Sequence, residues 1–186
     1  MIYLLTLAIA ATRFLPHPPN FACLGALGLF AGCYFAGRKA YLVPAAALLL
    51  SDLVGHAMGI PGMGFYNPLV MAATYLGVTL AVPLGRLARS QGVGDGANWK
   101  RLPLAALAAS MLFFIVSNLG VWLGPWYPAT AEGLVLCFTN AIPFYGYTLA
   151  GDFVFTAVMF GAFELSRSSW RSLDPALALV ANRKAA

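Results

Sequence analysis

Long apolar runs alternate along the chain with short clusters of charge, proline and glycine. Each run ends where the chain could no longer stay in hydrocarbon, and six helical spans follow: 2–15, 22–36, 40–56, 67–86, 102–123 and 144–166. No sheet is expected. The last three runs have the length to cross a bilayer alone. The first three are short at about 1.5 Å of rise per residue, which predicts a thin or tilted packing. Two connections stand out. Pro16-His17-Pro18-Pro19-Asn20 cannot be helical throughout, because its prolines remove donors and restrict the residues before them. The stretch 124–143 is long, aromatic and weakly polar, and is expected as an outer loop folded against the protein.

Composition sharpens this picture. Hydrophobic residues make up 61% of the chain and charged residues 9%, against roughly 25% charged in a soluble domain. The mean hydropathy is +0.79. A soluble surface cannot be assembled from this material, so residues 1–186 read as one all-α polytopic membrane domain, a six-helix bundle. The stretch 1–15 carries no basic residue ahead of its apolar core and reads as a retained first span rather than a leader.

Charge sets the expected orientation. With the N-terminus inside, cytoplasmic connections receive Arg38, Lys39, Arg86, Arg89, Lys100 and Arg101, and the tail adds Arg167, Arg171, Arg183 and Lys184. Arg13 alone falls near the outer face. Both termini are therefore expected in the cytoplasm, with the chain in the cell (inner) membrane. The net charge of +5 is spread between apolar runs and forms no continuous basic face, which excludes a nucleic-acid surface.

Recognisable catalytic chemistry is missing from the pattern. Cys23, Cys33 and Cys137 sit in apolar stretches without metal spacing, and HExxH and GxSxG do not occur. Gly92, Gly94 and Gly96 lack the Lys-Ser/Thr ending of a phosphate loop and read as a flexible connector. Neither enzymatic activity, cofactor nor metal is expected.

Polar groups inside spans are costly in hydrocarbon and therefore mark function. Asp52 and His56 lie four residues apart on one helix face, as do Asn118 and Trp122. Asp152 is flanked by Thr148 and Thr156, while Asn67 opens the fourth span. All fall in the outer half, which points to an outward-facing chamber. Asp52, His56, Asn67, Asn118, Trp122, Asn140 and Asp152 are the candidate ligand contacts, with Arg13 paired to one of the acids. Trp126, Tyr127 and Tyr145 suit the same planar or polar solute. Small residues near Ala8 and Thr12 would let a partner helix approach closely. Two alternatives stay open: an intramembrane enzyme using Asp52, His56 and Asp152, and an assembly subunit without ligand.

The run Gly25-Ala26-Leu27-Gly28-Leu29-Phe30-Ala31-Gly32, followed by Gly37-Arg38-Lys39-Ala40 and Leu50-Ser51-Asp52-Leu53, resembles the early helices of S-components, the substrate-binding subunits of energy-coupling-factor vitamin transporters. Ala141-Ile142-Pro143-Phe144 ahead of Asp152 resembles the beginning of their sixth helix. The segment from Pro16 to Phe21, with the Ser-Asp and Gly-Asp pairs, is similar to a narrower, uncharacterised bacterial family of transport-type proteins. The S-component resemblance implies six helices and an outward-facing site for a vitamin-like solute. It also implies a membrane coupling subunit, met through the first helix (Ala8-xxx-Thr12 here), and two cytoplasmic ATPases.

Overall fold

The computed structural model describes residues 2–16, 18–60, 63, 65, 67–90 and 96–184, with 168–184 as helical backbone alone. His17, Gly92 and Gly94 lie outside the described residues. The elements are α1 (Ile2–Ala11), a 3-10 turn (Thr12–Phe14), α2 (Leu24–Tyr34), α3 (Lys39–Ala57), α4 (Pro68–Leu87), α5 (Leu102–Trp122) and α6 (Ala131–Lys184). Among the described residues the only β pairing is an isolated bridge between Arg89 and Ala97. Among the described residues four helices are long and apolar enough to cross a membrane: Lys39–Ala57, Pro68–Leu87, Leu102–Trp122 and Ala131–Arg167. The apolar stretches Ile2–Phe14 and Leu24–Tyr34 are shorter. The chain is thus an all-α, polytopic membrane protein. Its outer faces carry exposed Leu4, Leu42, Leu104, Val135 and Leu165, a surface suited to lipid.

The core is built around α2, every residue of which is buried. A helix this short and enclosed needs neighbours that come close, and its glycines allow it. A Cβ on Gly28 would strike the Val78 carbonyl oxygen, and one on Gly32 that of Val82. From the other side, a Cβ on Gly85 would strike the Leu29 carbonyl. The backbones of α2 and α4 therefore pack in direct contact, as small residues permit in membrane bundles. Phe30 and Tyr34 continue the core against Phe160 and Phe163.

The ends of α2 lie inside the protein, where water cannot satisfy them. Asp152 of α6 serves the N-terminus: its Oδ1 accepts the Ala26 N–H at 3.2 Å. Arg89 serves the C-terminus, donating to the carbonyls of Gly32 (2.6 Å through Nη2), Cys33 (3.0 Å) and Phe35 (3.0 Å). The acid thus faces the positive end of the helix dipole and the base the negative end.

Basic side chains collect at one pole. Beside Arg89, Arg86 donates to Gly37 O and lies over Tyr41, and Arg101 donates to Leu87 O. Tyr34 donates to Glu164, which pairs with Arg167 at 3.2 Å. Ile2 packs near Phe35 and Ala40, so α1 starts at this pole as well. Arg13, Asp52 and Asn118 belong to the opposite pole.

One expected boundary moves far. The stretch 124–143 is not a loop throughout, because α6 already begins at Ala131. Thr130 caps it, its Oγ1 accepting the Gly133 N–H at 3.2 Å, and Glu132 adds an acid to the first turn. Pro143 lies within α6 rather than ahead of it. The helix also runs on past 166 to Lys184.

Candidate functional site

A cavity of about 710 Å³ opens between α4, α5, α6 and the start of α2. Arg13 to Pro16, Pro19, Asn20 and Ala22, with Ile60 and Met63, form its rim. The volume falls within the range of small-molecule sites, roughly 300–1,000 Å³. Phe113 and Phe114 of α5 supply an aromatic wall, and Thr74, Ser117, Asn118, Thr148 and Asp152 supply polar atoms.

Arg13 reaches this rim because the 3-10 turn ends α1 there. Its Nη1 lies 2.8 Å from Asp52 Oδ1 and also donates to Ser51 Oγ. Tyr75 donates to the other Asp52 oxygen at 2.9 Å. The pair is nearly enclosed, at 13% and 8% side-chain exposure. Three elements are thereby tied together, and both Asp52 oxygens are in use. Asp52 stands behind Arg13 rather than on the cavity wall.

Asp152 is buried at 1% exposure and lines the cavity. Gly25 makes room for it, since a Cβ there would collide with the carboxyl. The Gly25 N–H and the Ser110 hydroxyl face the same group, yet Oδ2 itself has no hydrogen-bond partner among the described residues.

Asn118 lines the cavity too, with one amide proton donated to Phe114 O at 2.8 Å. Four expected residues go elsewhere. His56 is exposed and stacks edge-on against Phe65 at 5.7 Å. Asn67 caps α4 by accepting the N–H groups of Leu69 and Val70. Trp122 donates to Pro128 O at 3.0 Å, and exposed Asn140 donates to Tyr127 at 3.3 Å, both within the α5–α6 corner. The trio Asp52, His56 and Asp152 is therefore not gathered in one cavity. On α1, Ala8 is exposed, while the Thr12 hydroxyl donates to Ile9 O at 2.6 Å. Among the described residues no three His, Cys, Asp or Glu side chains converge as metal ligands.

Several cavity residues escape a reading of the sequence. Phe114 and Val121 lie one turn either side of Asn118 and share its face, so a helical wheel centred there would find both. Gly25 and Thr74 give no such signal; only the packing of α2, α4 and α6 brings them in.

A family profile described as a family of unknown function (DUF6580) matches residues 1–177. No curated protein and no solved structure matches the chain. The chain belongs to the DUF6580 family.

Proposed function

We propose that this DUF6580 member is a membrane-embedded subunit that binds a vitamin-sized micronutrient for uptake. A separate membrane coupling subunit with cytoplasmic ATPases would energise it. The observation that carries the reading is the cavity of about 710 Å³, part aromatic and part polar, at the pole opposite the basic residues. The α2 cap occupies only Oδ1 of Asp152, and an acid, an amide and three hydroxyls gathered around one such space suit a polar solute. The resemblance of the Gly25–Gly32 run to S-component helices supports the same reading. On this view all six helices take part in the membrane domain, the basic pole and both termini face the cytoplasm, and the cavity opens outward in the inner membrane. The face of α1 that carries exposed Ala8, with half-buried Thr12 just beyond its end, is the proposed docking surface for the coupling subunit.

Reconstitution tests the proposal. Purified chain in liposomes should bind solute from a micronutrient mixture but accumulate almost none without coupling subunit, ATPases and ATP. Robust ion-driven uptake by the chain alone would refute the division of labour.

A further inference from the structure

We infer that the cavity selects a donor-rich solute, one whose buried end is an amine, amidine or amino-heteroaromatic nitrogen held by Asp152. The inference rests on the binding role proposed above and narrows it to a substrate class.

Acceptors outnumber donors among the helix side chains of the polar lining, where Asn118 keeps one amide proton beyond the one it gives Phe114 O. Thr74 donates its hydroxyl proton to Val70 O, Ser117 to Phe114 O and Thr148 to Phe144 O. A hydroxyl has one proton and two lone pairs, so with its proton directed to its own helix each of these groups offers a ligand acceptor sites. Asp152 Oδ2 is a further acceptor, buried and without a partner among the described residues. Four acceptors on three helices thus border one cavity.

The charges point the same way. Among the described residues Arg13 is the one cation on the lining, and it is held by Asp52 at 2.8 Å. Those two charges offset each other, which leaves Asp152. A carboxylate shielded from water strongly prefers a charge-assisted N–H donor to any neutral partner. The N-terminus of α2 compensates part of the charge through Oδ1 and the Ala26 N–H, while enclosed Oδ2 has no hydrogen-bond partner among the described residues. The faces of Phe113 and Phe114 suit a flat cationic or amino-bearing ring. An anionic solute would have to draw Arg13 from Asp52 and leave that acid unpaired.

The test uses three probes of one shape and different head groups: benzamidine (cation), benzamide (neutral donor) and benzoate (anion). Each is titrated at millimolar concentration against the purified full chain in detergent, with calorimetry and the thermal unfolding midpoint as readouts. Benzamidine should bind about tenfold or more tightly than benzamide, as charge-assisted bonds require, with benzoate weakest. Asp152→Asn keeps an acceptor for the Ala26 N–H and should abolish the preference for benzamidine. Ser117→Ala and Thr148→Val leave that cap untouched and should each weaken benzamidine severalfold, so the inference remains testable if Asp152→Asn does not fold. Benzoate binding as well as benzamidine would overturn the substrate class while leaving a solute cavity standing. Loss of all binding, with no probe registering by either readout, would overturn both.

Discussion

Arg13 and Asp52 show how a charged pair can be tolerated in a membrane domain. Each is nearly enclosed, and the acid is completed by Tyr75 and the arginine by Ser51. Removing one partner of such a pair leaves an uncompensated buried charge. Arg13→Gln should therefore destabilise the protein by about 3–5 kcal/mol, and the double variant Arg13→Gln, Asp52→Asn should recover much of that loss. Urea unfolding in detergent, followed by intrinsic tryptophan fluorescence, measures both. Equal losses in single and double variants would mean the pair contributes nothing as a pair. At this scale the sequence shows which residues are unusual but not where they turn. Asp52 and His56 share a face, yet α3 ends at Ala57, so His56 stands on the last turn and reaches Phe65. Trp122 likewise ends α5 and turns to Pro128. Spacing of four residues fixes the face, and the end of the helix decides whether the second residue still meets the cavity.

α2 is the element on which the rest depends. Its backbone touches α4 at Gly28 and Gly32, so Gly32→Val should cost at least about 1–3 kcal/mol through overpacking. Its C-terminal carbonyls depend on one guanidinium. Arg89→Ala should destabilise by about 1–3 kcal/mol for a buried acceptor left unsatisfied, and Arg89→Lys should rescue only part, because a point charge cannot reproduce the forked contacts to Gly32 and Phe35. Thermal unfolding midpoints in detergent rank these variants, and an unchanged midpoint in Arg89→Ala would remove the capping role. Helices α3, α4 and α5 were legible because a long apolar run is bounded at one end by basic residues, Arg38 and Lys39, Arg86, and Lys100 and Arg101 in turn. The start of α6 was not. Pro143 reads as punctuation, whereas the true N-terminal signal is Thr130 with Glu132 two residues on, set in a weakly polar stretch. Membrane helices accommodate an internal proline more readily than soluble ones, so Pro143 marks no boundary.

At the scale of the whole molecule, the chain has two unlike poles. Arg86, Arg89, Arg101 and Arg167 gather at one, and the Arg13–Asp52 pair and the cavity lie toward the other. The charge asymmetry was legible from the sequence; the convergence of Asp152, Asn118 and Phe114 on one cavity was not, since it depends on how α2, α5 and α6 pack. On the proposed topology, a membrane-impermeant thiol reagent applied to intact cells should label Cys at Pro19 but not at Trp99, and the reverse pattern would invert the orientation. The central claim, that the cavity holds a solute, has a more direct test. Native mass spectrometry of gently purified protein, incubated with extract of its own cells, should show an adduct of small-molecule mass. Ser117→Trp, which fills the cavity beside Phe114, should lose it while keeping its unfolding midpoint. An adduct retained at equal occupancy in Ser117→Trp, or a wild-type protein that carries none, would contradict the account.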